Sequence, residues 1–312
     1  MSDLLLIAIA GFAASLVDGA LGMGFGPTSA TILLSTGVSP AATSTMVNLA
    51  KVATGLAGGA SHWRFGNVDR RLVLQLAVPG ACGAVLGATM LATIDGDRIR
   101  PLLAVLLLAV GVRILVRFSR PLPPAAEVVS PDHHRSPAVA VCGAAGGVTN
   151  GLVGAWGPVV TPFLLHRGVP PRIAVGSVNT AEIAVAVTAV GTLLGSMGGA
   201  GVELAMVAAM LVGGVAAAPL AALVVRVIPA RLLGVAVAAL LLLTQTRELL
   251  RTGTIPDAPA IVYGAILVAV GAAALRPRLQ PARRATAVAR RRDRRPAAAP
   301  PTAGAPPARR RP

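Results

Sequence analysis

The sequence predicts an all-α, polytopic helical membrane protein built as two homologous halves of about four spans each. Three observations carry that reading. Apolar runs recur along most of the chain, two of them are broken at a Gly-Pro, and the pattern of the first half returns in the second. The chain is 54% hydrophobic and only 13% charged, where a soluble domain carries about 25% charged residues. The runs repeatedly reach the roughly 20 residues needed to cross a bilayer. The net charge of +16 misleads about this body, because residues 276–312 hold twelve Arg and one Asp and so carry +11 of it.

The first apolar segment is 4–21. It follows Met1-Ser2-Asp3, which lacks the basic region of a signal peptide, and is read as a retained span. It stops at Asp18-Gly-Ala-Leu-Gly22-Met-Gly24-Phe-Gly26-Pro27, and helix is expected to resume at about 27–36. Proline is tolerated at a helix start, where its missing N–H would be unpaired anyway. Spans at 43–62, 72–93 and 101–117 complete a first half, 1–117, and a Pro-rich linker follows at 118–137. The second half, 138–251, repeats the plan: 138–153, a break, 158–166, then 173–196, 202–225 and 230–250. A further apolar stretch within 252–275 is expected to make a ninth span. The tail, 276–312, is Arg, Pro and Ala with few large apolar residues, a composition that reads as disordered.

The repeat is specific. The first break returns as Asn150-Gly-Leu-Val-Gly154-Ala-Trp156-Gly157-Pro158, and from Pro27 to Lys51 and Pro158 to Glu182 the copies keep one offset without a gap. Non-helical backbone survives at membrane depth only where it is packed in protein or lines a cavity, and repeat-built transporters place such interruptions at the substrate site. Each Gly-Pro starts a helix, and a helix start offers free N–H donors and about half a positive charge, which suits an anion. Two such starts are expected to face one cavity. The competing reading is that the glycines only let helices pack closely.

Lys51 is the one lysine in the sequence, against 27 arginines, and Glu182 is its counterpart in the second half. An intramembrane charge costs about 2.5–3.5 kcal/mol on insertion scales, so both must face protein, water or each other. They read either as an ion pair joining the halves, or as an anion-holding ammonium beside a proton-carrying carboxylate. Asp18 either caps a backbone donor or couples protons. Asn48 and Asn179, about one turn before these charges, bond substrate or bridge the halves.

Several classes are excluded. Cys82 and Cys142 lie in apolar segments and suggest neither a disulfide framework nor a metal site. His62, His133, His134 and His166 fall at span ends or in loops. No Gly-x-Ser-x-Gly, His-Glu-x-x-His or Cys-x-x-Cys occurs, so no enzyme, metal or cofactor is expected. The tail's arginines either rest on anionic lipid, at about 1 kcal/mol each, or form a solvated extension with no role; nucleic acid is not the expected partner.

These pieces resemble the TauE/SafE sulfite exporter family. The resemblance rests on Gly22-Met-Gly-Phe-Gly-Pro27, Gly37-Val-Ser-Pro40 and Ser61-His-Trp-Arg-Phe-Gly-Asn-Val-Asp69, then Gly154-Ala-Trp-Gly-Pro158, Ala174-Val-Gly-Ser-Val-Asn179 and Glu182. It covers about residues 4–251 apart from the linker. It implies a multi-pass exporter of sulfite, sulfonates or related organic anions in the cytoplasmic membrane. It also implies that Gly22, Gly24, Gly26 and Pro27, with Gly154, Trp156, Gly157 and Pro158, form the substrate cradle. Lys51, Asn48 and Asn179 join that cradle on the physical argument. The first break is one residue longer than the second, and 260–275 and the tail are additions. A passive anion channel and a non-transporting scaffold are the other functions the sequence allows.

Orientation is in conflict. The positive-inside rule places 63–71, 117–137 and the tail in the cytoplasm. If each broken segment crosses once, both loops and residue 251 share a side, and a ninth span would carry the tail to the other.

Overall fold

Each apolar run becomes a helix. A computed structural model describes residues 2–21, 23–119, 136–197, 202–227, 230–251 and 259–275. Most of the linker, the whole tail and Gly22 lie outside these residues, and with them the expectation of a disordered tail. Among the described residues there is no strand. The first five helices are α1 Ser2–Leu21, α2 Phe25–Ser35, α3 Pro40–Arg64, α4 Arg70–Thr93 and α5 Gly96–Ser119. The next five are α6 Pro137–Val153, α7 Gly157–His166, α8 Pro171–Met197, α9 Leu204–Val227 and α10 Ala230–Arg251, followed by α11 Pro259–Leu275. Among the described residues three of them, α4, α5 and α8, are long and apolar enough to cross a membrane.

Local chemistry sets the boundaries. Asp69 caps α4, its carboxylate accepting from the N–H of Arg71 at 2.9 Å and of Leu72 at 3.2 Å. Gly154 ends α6 at φ 69°, a left-handed conformation suited to glycine. Its N–H bonds Asn150 O and the next N–H bonds Thr149 O. Pro158 sits in the first turn of α7, as expected. The first restart comes slightly early, at Phe25 rather than at the Gly-Pro.

Small residues bring helices into backbone contact. Along α4 and α6, Gly147 lies so close to Gly80 that a Cβ on it would stand 1.9 Å from the Gly80 carbonyl oxygen. Gly213 of α9 meets Ala8 of α1 in the same way, also at 1.9 Å. Such contacts are a main source of cohesion where lipid is as apolar as the helix faces.

Helix directions differ from the simple expectation of one crossing per broken segment. α6 runs alongside α4 in the same direction, with Gly143 on Leu76, Gly147 on Gly80 and Gly151 on Ala84. It therefore starts at the end of the bundle that holds the loop between α3 and α4. α8 also starts there, where Ser177 Oγ accepts from the Asp69 N–H at 3.0 Å. So α6 enters and α7 returns to the same end, because the left-handed Gly154 turns the chain back. α3 and α8 are antiparallel, with Lys51 opposite Glu182 and the 67–69 loop against 176–177. α5 and α10 are antiparallel too, with Arg100 near Glu248 at one end and Phe118 on Gly234 at the other. Residue 251 and the 65–69 loop thus lie at opposite ends of the bundle.

Candidate functional site

Lys51 projects from the middle of α3 and is 94% buried, its residual exposure being 6%. All three of its ammonium protons have acceptors in the second half. It donates to Glu182 Oε1 at 2.5 Å, to Gly154 O at 2.5 Å and to Asn150 Oδ1 at 3.2 Å. A lysine has three donors, so this ammonium is saturated. Two of the acceptors belong to the braced end of α6. The third, Glu182, is a side chain with 19% of its surface exposed.

The two breaks meet here. A Cβ on Gly26 would lie 1.8 Å from Gly154 O and 3.0 Å from Lys51 Nζ, so only a bare backbone fits. Beside this contact is a cavity of 150 Å³ lined by both helix starts, by Lys51 and Glu182, and by Asp18 and Asn179. The volume of liquid water is about 30 Å³ per molecule, so the space suits a solute of a few heavy atoms rather than a nucleotide. The lining continues along α3 through Thr54 and Gly55 to Gly58, toward the 65–69 end.

The helix starts are not alike. At the first, Asp18 Oδ1 accepts from the Phe25 N–H at 3.2 Å, so the chain's own carboxylate caps α2. At the second, the N–H groups of Trp156 and Gly157 have no acceptor among the described residues. Donors at such a start have no partner within the helix and need one from outside.

Most of the predicted residues converge on the cavity. Gly24, Gly26, Pro27, Lys51, Gly154, Gly157, Pro158, Asn179, Glu182 and Asp18 all line it. Two do not. Asn48 is fully buried behind Lys51, where its amide donates to Ser44 O and Asn150 O and its oxygen accepts from Asn150 Nδ2 at 2.6 Å. It bridges the halves. The Trp156 indole is also fully buried, packed on Gly80 and Gly146, and donates to Val178 O at 3.1 Å. Only its backbone belongs to the helix start. Asn150 was missed as a site residue, although it stands in the second break where the first has Asp18. That exchange of a carboxylate for an amide is the signal that marks it.

Comparison with known proteins fits this geometry. Over residues 7–247 the chain matches the model of the family described as sulfite exporter TauE/SafE. It is 39% identical, over 273 residues, to the "Probable membrane transporter protein YtnM" of Bacillus subtilis strain 168, covering 87% of this chain and 90% of that one. No solved structure matches it. A multi-pass helical membrane body, with both breaks inside the matched region, belongs to the TauE/SafE sulfite exporter family.

Proposed function

We propose that this membrane transporter exports small anions, sulfite and short sulfonates among them, across the cytoplasmic membrane by letting the anion displace Glu182 from Lys51. The observation that carries this reading is the saturated ammonium in a small cavity between two helix starts. An anion reaches Lys51 only by replacing one of its acceptors, and Glu182 is the one on a side chain with room to move. The N–H groups of Trp156 and Gly157 supply further donors for it.

Charge counting links the step to a proton. The cavity lining holds one ammonium and two carboxylates, Asp18 and Glu182. With all three ionised, a bound anion would bring the charge there to −2, which a water-poor interior tolerates badly. A proton carried on Glu182 through the occupied state relieves this, so anion and proton movements are coupled.

Helix directions support alternating access through inverted halves. Lys51 and Glu182 are repeat equivalents in direct contact, so a repeat axis has to pass near them. Their helices are antiparallel, so that axis lies across the bundle, the arrangement of many secondary transporters.

Proteoliposome flux tests the reading. Uphill accumulation of sulfite or a short sulfonate under an imposed proton gradient is expected. Strictly downhill flux identifies a channel, and no flux of any small anion removes the proposal.

A further inference from the structure

A second polar cavity lies away from Lys51, at the end of the bundle where α2 finishes, α5 starts and α10 ends. It measures 690 Å³ and is lined by Arg100, Arg247 and Arg251 against Asp97 and Glu248. Arg100 meets both carboxylates only at a distance, 4.0 Å to Asp97 and 3.9 Å to Glu248. Inside it, a pocket of 30 Å³ shares Arg100 and Glu248 with the larger space and reaches Thr31 and Gln245.

Thr31 is buried on α2, and its Oγ1 accepts from Gln245 Nε2 of α10 at 3.1 Å. Thr28, Thr31 and Ser35 stand at i, i+3 and i+7 and share one helix face. The first is one residue from Pro27 at the Lys51 cavity, and the last lines the arginine cavity. Thr28 Oγ1 and the neighbouring Ser29 Oγ are buried and have no hydrogen-bond partner. Buried hydroxyls are normally paired, and an unpaired one calls for a reason. A solute passing along this face supplies it.

We propose that the arginine cavity is a second anion-binding station, joined to the Lys51 cavity along the Thr28–Thr31–Ser35 face of α2 and closed here by the Thr31–Gln245 hydrogen bond. The ligand class is the small oxyanion that the Lys51 site handles, so this inference rests on the anion-transport reading. The Lys51 cavity extends toward the 65–69 end as far as Gly58 and the arginine station lies at the other end, so the bond stands between the two.

Cysteine labelling tests this without needing flux. In the full chain with Cys82→Ser and Cys142→Ser, reconstituted in phosphatidylcholine nanodiscs so that no anionic lipid competes, Ser35→Cys is treated with methanethiosulfonate reagents of either charge. The anionic reagent is expected to react several-fold faster than the cationic one, relative to free thiol. Methanesulfonate should slow it, and Arg100→Gln with Arg247→Gln should remove the preference. Thr28→Cys is expected to react slowly, and several-fold faster once Gln245→Ala is added. Equal rates for the two reagents at Ser35→Cys, or no protection by methanesulfonate, overturn the station. An unchanged rate at Thr28→Cys in the Gln245→Ala protein overturns the gate. Failure of transport with the labelling pattern intact would count against the transport reading and not against the route.

Discussion

Lys51 and Glu182 lie 131 residues apart in the chain and 2.5 Å apart in space. The same separation relates Pro27 to Pro158, so the two charges stand at matching places of the sequence pattern and touch in space. The two positions carry charges of opposite sign. Two buried like charges at that distance would repel strongly.

The pair can be exchanged for folding but not for transport. Lys51→Glu alone faces Glu182 with a second carboxylate and should not accumulate stably. Lys51→Glu with Glu182→Lys restores opposite charges and should return to the membrane at near wild-type levels. It moves the ammonium away from Asn150 and Gly154, so flux should stay at background. Expression and flux measured on the same preparations check this, and equal recovery of both would make the pair purely structural.

Glu182→Gln retains an acceptor for Lys51 and removes the ionisable group. Anion exchange should continue, while the response to an imposed proton gradient disappears. A short sulfonate is the solute of choice, because it stays anionic over the working pH range. A gradient response equal to wild type would assign proton carriage elsewhere, with Asp18 the next residue to change.

Asn150→Asp places a new carboxylate on the ammonium, where Asn150 Oδ1 now accepts. A competitor so close to the anion seat should raise the half-saturating anion concentration about tenfold or more, equivalent to ~1.4 kcal/mol. Concentration-dependent flux reads this directly. An unchanged half-saturation would separate Asn150 from the anion.

Gly26→Ala pushes a methyl into the Gly154 carbonyl oxygen, 1.8 Å from where its Cβ would sit. The second break would have to shift, and overpacking of this kind costs about 1–3 kcal/mol or more. Thermal unfolding in detergent should fall by several degrees, and flux should be lost with it. Normal stability would mean that the two breaks do not touch.

Much of this was legible in the sequence, for identifiable reasons. Span positions follow from apolar run length, and α4, α6 and α8 begin within two residues of the expected positions. The pairing of Lys51 with Glu182 was one of two readings left open by the insertion cost of each charge and their matching places in the sequence, and the contact at 2.5 Å decides for it. Directions of the broken helices were not legible, because one left-handed residue, Gly154, decides whether α7 continues across or returns. The bridging of Asn48 to Asn150 and the burial of the Trp156 indole were hidden too. Both depend on which helices become neighbours, and local periodicity says nothing of that. The arginine cavity escaped for the same reason: Arg100 and Glu248 are near one another only because α5 and α10 are antiparallel.

The central claim is that the anion binds by taking the Lys51 ammonium. It is tested most directly by sulfite flux into proteoliposomes holding equal amounts of wild-type protein and Lys51→Ala. Removing one partner of a buried pair costs about 3–5 kcal/mol, so the amount of folded variant is to be matched by gel filtration before reconstitution. The wild type is predicted to accumulate sulfite against its gradient and Lys51→Ala to show only the leak of empty liposomes. Wild-type flux in Lys51→Ala would contradict the account.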